Sequence, residues 1–314
     1  MKPTELILPI DAEEVVDILV VGGGMAGVCA AIAASRNGCN TALIEMDACL
    51  GGNGGPMLGV HISGAHSFHP YASETGIIEE LELEAARIRA KTRTWGEHYN
   101  ISQTWDLLLE STLKDAGVRI YRRCQGRQAW VENGRITDVI AVDIEHFSTR
   151  RFSIRHGVID ASGDGIVAKN AGASYMIGTE GEAVFHERSG KESSTAETMG
   201  TSITALVRKC RQAVEFRMPP ELATRAAEEG PLPPLKGFPA SWQDSDEFCF
   251  LWVTESGGNR DTIADASSIR SEILYQLYRT WDNVKNHSFV EKAKNWELTW
   301  VSPKSGKRES HRFS

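Results

Sequence analysis

The sequence contains no apolar run approaching bilayer length, no surplus of positive charge and no pair of cysteines at CxxC spacing. The first absence excludes a transmembrane helix. A formal net charge of −8 and a pI near 5.7 exclude a nucleic-acid partner, which wants a basic stripe. The six cysteines (Cys29, Cys39, Cys49, Cys124, Cys210 and Cys249) fit no metal-finger pattern, so reduced structural thiols and no metal site are expected. Met1 to Asp17 is acidic and broken by Pro3 and Pro9, which is not a secretory signal, and a cytoplasmic protein is expected. Internal repeats and low-complexity tracts are also lacking. What remains is an ordinary globular composition: 314 residues, 41% of them apolar, enough for one large or two ordinary domains.

The clearest pattern lies near the start. Asp17-Ile-Leu-Val-Val21 reads as a fully buried parallel strand, and Gly22-Gly-Gly24-Met-Ala-Gly27 follows directly. An alanine-rich helix is predicted from Met25 to Asn37, closed by Gly38, and a second strand, Thr41 to Ile44, ends on Glu45. Gly22 permits the tight turn, Gly24 lets a pyrophosphate approach the backbone, and Gly27 with Ala31 lets the helix lie close to the sheet. The helix start, Met25 and Ala26, presents free N–H groups and a positive dipole end to phosphates. Glu45, followed by Met46, stands 18 positions after Gly27, where a carboxylate accepts hydrogen bonds from a ribose diol and repels a 2′-phosphate. Strand, glycines, helix, second strand and terminal acid in register form a dinucleotide fingerprint.

The next segment, Leu50-Gly-Gly-Asn53-Gly-Gly55, holds four glycines in five residues. Here the chain resembles the FAD-dependent oxidoreductase family of the glutathione-reductase-like flavoprotein class, whose loop reads Leu-Gly-Gly-Asn. The resemblance implies an FAD cofactor, with Gly51, Gly52 and Asn53 passing under the pyrophosphate and ribityl chain toward the flavin ring. A second matching element, Asp160-Ala-Ser-Gly-Asp164, implies that Ala161, Ser162 and Gly163 pack on the adenosine side while Asp164 reaches toward the ribityl or pyrophosphate region. The lack of CxxC and cluster spacings removes the disulfide reductases and iron–sulfur members of the class.

Between these motifs an amphipathic helix is predicted over Ser102 to Ala116, then strands at Val118–Tyr121, Gln125–Val131 and Arg135–Ile144, with Asn133-Gly134 as a hairpin turn. In the family this ribbon rests beside the adenine, which implies a contact near Gly126. The expected fold is α/β: a Rossmann-like FAD-binding domain with a parallel sheet and an antiparallel ribbon over 1–177, and an inserted α+β substrate or cap domain over 178–314. Met218 to Pro239, with six of the eleven prolines, reads as a long irregular loop. A strand is expected at Phe248–Val253, a turn at Ser256–Asn259, and a helix from Asp265 to about Lys285 with Ile269, Ile273, Leu277 and Trp281 on one face. Trp300 to Arg312 reads as a hairpin entering a strand. It contains Arg308-Glu-Ser-His-Arg312, where the family has an Arg-Glu-Ser-Arg-Arg-like stretch, and His311 departs from that pattern. The family pattern runs on for about another hundred residues. A truncated chain or half of a split protein is therefore expected, with a homo-oligomer, or a partner chain supplying the missing flavin cap, as the alternatives for its assembly.

Within such a fold Gly59-Val-His61-Ile-Ser-Gly-Ala-His66 follows the flavin loop, which makes His61 first and His66 second candidate for a base or ring contact. A covalent flavin link would use His61 or Cys49. Arg260 and Arg312 could bind an anionic substrate or form ordinary ion pairs. The glutamates of Ile78 to Arg89 read as a solvated face. Trp252, Trp281, Trp296 and Trp300 read as core rather than as a sugar platform. The resemblance implies oxidation of a small organic substrate by hydride transfer to flavin N5, with a sugar or polyol CH–OH group favoured. Fumarate-reductase-like chemistry and amine dehydrogenation are the rivals, alongside a nucleotide-binding subunit and an NAD-dependent dehydrogenase.

Overall fold

The computed structural model of the chain describes residues 9–62, 74–92, 101–186, 190–235, 246–250 and 255–313. These fall into two compact units: the residues up to Ile177 together with those from Ser310 onward, and Gly178–Glu309.

The first unit begins with β1 (Ala12–Val21), α1 (Met25–Arg36) and β2 (Thr41–Glu45). Two helices follow, α2 (Ile77–Thr92) and α3 (Gln103–Asp115), the latter capped by Ser102, whose hydroxyl accepts the Thr104 N–H at 3.2 Å. Then come β3 (Arg119–Arg122), β4 (Cys124–Glu132), β5 (Arg135–Asp143), β6 (Ser148–Asp160), α4 (Ile166–Asn170) and β7 (Tyr175–Met176). Strands β3-β2-β1-β6-β5-β4 form one sheet in that order, parallel from β3 to β6 and antiparallel beyond.

Alternate residues of β1 and β2 point to opposite faces, and both faces are covered. Val20 and Leu43 pack with Val28, Ile32, Leu81, Trp105, Leu109 and Leu113 of the helices. Leu19, Val21, Ala42 and Ile44 pack with Cys124, Val139, Ala141 and Phe152 of the ribbon and with Val167. The antiparallel half therefore curls back over the second face. The Asn133-Gly134 turn holds φ of +51° and +76°, the left-handed pair that a tight hairpin requires.

Strand β1 starts at Ala12 rather than Asp17, because its acidic first half is paired with arginines. Ala12 to Val16 align with Arg150 to Ile154 of β6. Glu14 meets Arg119 at 2.9 Å and Arg150 at 3.6 Å, and accepts the Tyr121 hydroxyl hydrogen.

In the second unit, α5 (Glu182–Phe185) precedes β8 (Thr201–Ser202), β9 (Ala205–Lys209), α6 (Pro220–Glu229), β10 (Glu247–Phe250), β11 (Glu255–Ser256) and α7 (Ala266–Asp282). A π-helical turn, Asn283–Ser288, leads to α8 (Val290–Ala293), β12 (Trp296–Val301) and β13 (Gly306–Lys307). β14 (Arg312–Phe313) belongs to the first unit, where it pairs antiparallel with β7. Ile269, Ile273, Leu277 and Trp281 of α7 are all fully buried, with Trp296, Val207 and Ala293 around them. Trp281 and Trp296 thus serve the core, while Trp252 lies outside the described residues.

Two expectations are corrected. The proline-rich stretch contains helix α6, since Pro219 and Pro220 stand at its start, where a missing N–H costs no hydrogen bond. Arg225 then ties α6 to α7 through Glu272 at 2.8 and 3.0 Å. The terminal hairpin is also absent: β12 pairs with β9 and β13 with β8, so both lie along the same preceding segment rather than against each other.

Burial, then the Glu14 carboxylate, pushes the Tyr121 hydroxyl from the ordinary 10 up to about 12. Its proton is held more tightly in the folded state, so this contribution to stability is complete below pH 10 and is lost as pH rises through about 12. Urea unfolding of Tyr121→Phe across that interval is expected to show a shallower loss of stability than the parent protein.

Candidate cofactor site

At the end of β1 the chain turns through Gly22, at φ +101°, into α1. A side chain at Gly22 would overlap the Ala161 carbonyl, and one at Gly27 would overlap the Gly22 carbonyl oxygen. Gly24 is different. Its φ of −65° suits any residue, and an added Cβ would find its nearest protein atom, the Gly52 Cα, at 3.9 Å. The protein itself leaves room for a side chain there, and the glycine keeps that room open. The N–H groups of the first turn of α1 lack helical acceptors, and the turn carries no acidic residue to offset the dipole.

Glu45, the last residue of β2, is buried and accepts the Gly23 N–H at 2.5 Å on one oxygen and the Asp47 N–H at 2.7 Å on the other. The acid thereby fixes the glycine turn, and each carboxylate oxygen can accept more than one hydrogen bond.

The second glycine loop is laid directly beside the first. Gly51 N–H donates to the Gly23 carbonyl at 2.8 Å, and Gly24 and Gly51 form a parallel bridge. A Cβ on Gly52 would lie 3.0 Å from the Gly24 Cα, and Gly51 holds φ +99°. From behind, α3 clamps this loop. Trp105 Nε1 donates to the Gly54 carbonyl at 3.0 Å, and Leu50 N–H donates to Asp106 Oδ1 at 2.6 Å. Arg122 completes the clamp, donating to the Ala48 carbonyl at 2.7 Å and to both Asp106 oxygens at 2.8 Å. Asp106 and Arg122 were not legible as site residues; an acid set among Trp105, Leu108 and Leu109 on the apolar stripe was the available signal.

The Asp160-Ala-Ser-Gly-Asp164 turn closes the third side. Ala161 N–H donates to Val21 at 2.7 Å. Asp160 accepts from the Ser162 N–H (3.1 Å), the Ser162 hydroxyl (2.6 Å) and the Ala168 N–H (2.8 Å), which builds the start of α4. Gly163 is at φ +81° with open space around it, and Asp164 accepts the Ser310 hydroxyl hydrogen at 2.7 Å. Gly126 lies buried under the strand ends, where a Cβ would sit 3.3 Å from Val21 and 3.5 Å from Ile44.

The structure thus gathers Gly22, Gly24, Gly27, Glu45, Gly51, Gly52, Ala161 and Ser162 at the C-terminal ends of β1, β2 and β6. Met25 flanks Gly54, while Ala26, Met46 and Asn53 are exposed around this core. His61 is exposed beside Val60, whose N–H donates to the Asn53 carbonyl at 2.9 Å; His66 lies outside the described residues. Arg260 is engaged by Ser268 at 2.6 Å and Asp265 at 3.5 Å, and Arg312 lies in β14. Burial and the Asp106 carboxylate hold the Cys49 thiol above its ordinary range, which disfavours the thiolate a covalent link would need. Among the described residues no group of three metal-ligating side chains converges, and no helix is long and apolar enough to cross a membrane.

A positive helix start, a buried acid at the second strand and two apposed glycine loops define an α/β protein built to hold a dinucleotide. The chain belongs to the FAD dependent oxidoreductase family, whose profile matches residues 17–314. Its cofactor is accordingly FAD, and the bare backbone at Gly24 fits the diphosphate of that group. Solved structures it resembles include the myxobacterial chondrochloren halogenase CndH, a variant of FAD-dependent halogenases. That likeness has 18% identity, covers 65% of this chain and 46% of that one, and has a TM-score of 0.38. The 3-ketosteroid-delta4-(5alpha)-dehydrogenase of Rhodococcus jostii RHA1 has 17% identity over 51% of this chain and 47% of that one, with a TM-score of 0.33. CabE, an aromatic hydroxylase from angucycline biosynthesis, has 15% identity over 95% of this chain and 53% of that one, with a TM-score of 0.45. The chain spans about half the length of each. No protein of curated function matches it.

Gly24→Ala is expected to change folding stability by no more than about 1 kcal/mol while abolishing retention of flavin, because the new methyl occupies only ligand space. Gly27→Ala is expected to cost at least about 3 kcal/mol, because its methyl overlaps a carbonyl oxygen. Urea unfolding paired with the flavin content of each purified variant checks both.

Proposed function

We propose that this chain holds FAD across its three backbone turns and belongs to an enzyme that oxidises a small organic substrate. The observation that carries the reading is the apposition of Gly51 and Gly52 to Gly23 and Gly24, since a plain NAD fingerprint has no use for a second glycine loop there. In this reading the start of α1 and Gly24 hold the diphosphate, and Glu45 takes the ribose hydroxyls. Ala161 to Asp164 and the backbone near Gly126 line the adenosine and ribityl sides. Gly51 to Asn53 lead toward the ring.

Bound FAD supplies the hydride acceptor, N5 of the ring. The chain supplies orientation and a base. His61 is the first titratable residue past the glycine loop, and its exposed imidazole is assigned to take the substrate hydroxyl proton at a ring nitrogen. Arg260 is committed to Ser268 and Asp265. That favours an uncharged CH–OH substrate of the sugar or polyol class over a carboxylate, and residues 178–309 are assigned to its recognition.

Two measurements test this. Purified chain should show the flavin absorption bands, and acid precipitation should leave FAD in the supernatant; a folded, colourless chain that takes up no added FAD would overturn the reading. Anaerobic bleaching of the bound flavin by polyols should then slow by about 10² or more in His61→Phe with FAD affinity unchanged. Equal bleaching rates would remove His61 from the role.

A further inference from the structure

Residues 310–313 are fastened to the Asp160–Gly165 turn and to α4 by contacts that the cofactor reading does not use. Ser310, buried, donates its hydroxyl hydrogen to Asp164 Oδ1 at 2.7 Å. His311 Nδ1 lies 2.6 Å from the Asp164 carbonyl oxygen, and its Nε2 lies 3.3 Å from Lys169 Nζ. The His311 ring meets Tyr175 edge-on at 4.5 Å. Phe313 lies over Gly165, where any side chain would collide with its ring, and Arg312 and Phe313 pair with Met176 and Tyr175.

These partners determine the tautomer. A carbonyl oxygen can only accept, so Nδ1 carries the hydrogen. A lysine ammonium can only donate, so Nε2 is bare and accepts from Lys169. One neutral imidazole therefore joins the turn to the helix that follows it. An arginine, which the family pattern has at this place, has donors only and could not accept from Lys169.

We propose that His311 is a positioning residue for the cofactor: it locks the Ser162–Gly165 turn, through the Asp164 carbonyl and Lys169, in the conformation that meets FAD. The turn needs such a lock because Gly163 and Gly165 both sit at positive φ, +81° and +61°, where no side chain restrains the backbone, and His311 adds a bond at the Asp164 carbonyl between them. The proposal rests on the preceding reading only in naming FAD as what the turn meets.

The test uses the full chain as the parent protein, His311→Phe and His311→Asn. Phenylalanine keeps the ring on Tyr175 and removes both nitrogens, whereas the asparagine amide can still donate to the Asp164 carbonyl. His311→Phe is expected to weaken FAD binding, followed by quenching of flavin fluorescence, about tenfold, and His311→Asn to recover most of that loss. In the absence of FAD, amide hydrogen exchange at 162–169 should quicken in His311→Phe while exchange in β1 and α7 stays as in the parent. Unchanged affinity and unchanged exchange in His311→Phe would overturn the proposal. So would a uniform rise in exchange with asparagine no better than phenylalanine, which marks a merely structural residue. Should the parent bind no FAD, the cofactor reading falls by itself, and the local exchange difference still decides whether His311 locks the turn.

Discussion

Two backbones meet at Gly23-Gly24 and Gly51-Gly52 with no side chain between them, joined by the Gly51 N–H to Gly23 carbonyl bond at 2.8 Å. The rest of the first unit depends on this approach. It sets where β2 must end, since the Glu45 carboxylate has to reach the Gly23 N–H. It also sets where α3 must lie, since Trp105 and Asp106 hold the far side of the second loop. A β-carbon on Gly23 would lie 2.7 Å from the Leu50 side chain and one on Gly52 3.0 Å from the Gly24 Cα, so either would push the two loops apart, whereas Gly24 itself has room for one.

Around that contact the charges are arranged by sign. The positive end of α1 is left without an acid in its first turn, whereas carboxylates are placed where they can accept backbone N–H groups: Glu45 at Gly23 and Asp47, Asp106 at Leu50, and Asp160 at Ser162 and Ala168. Hydrogen bonds to a charged acceptor are the stronger kind, which suits loops made largely of glycine that carry little packing of their own. Arg122 shows the same economy, holding Asp106, Glu110 and the Ala48 carbonyl at once.

Much of this was open to reading from residues alone, and the misses share a cause. The fingerprint, its helix and the Asn-Gly hairpin are local: glycine spacing and apolar runs report directly on backbone geometry. The first half of β1 was not, because Glu13 and Glu14 look like a polar lead-in until the arginines of β6 are placed opposite them. Helix α6 hid behind its prolines, which mark irregular chain in general but tolerate a helix start. The paired courses of β12 and β13 along β9 and β8, and the clamp of Asp106 on Leu50, are long-range pairings that no local spacing encodes. His311 was visible as a departure from a pattern, yet its partners Asp164 and Lys169 lie far away in the sequence.

The central claim is that the shared surface of the two glycine loops, with Glu45 and the start of α1, grips the ADP half of FAD. Competition binding tests it most directly: FAD is titrated into the chain in the presence of ADP or of FMN, and the bound flavin is followed by fluorescence. The account predicts that ADP displaces FAD competitively while FMN, which lacks the adenosine and second phosphate, neither binds comparably nor competes. FMN binding as tightly as FAD, with ADP without effect, would contradict it.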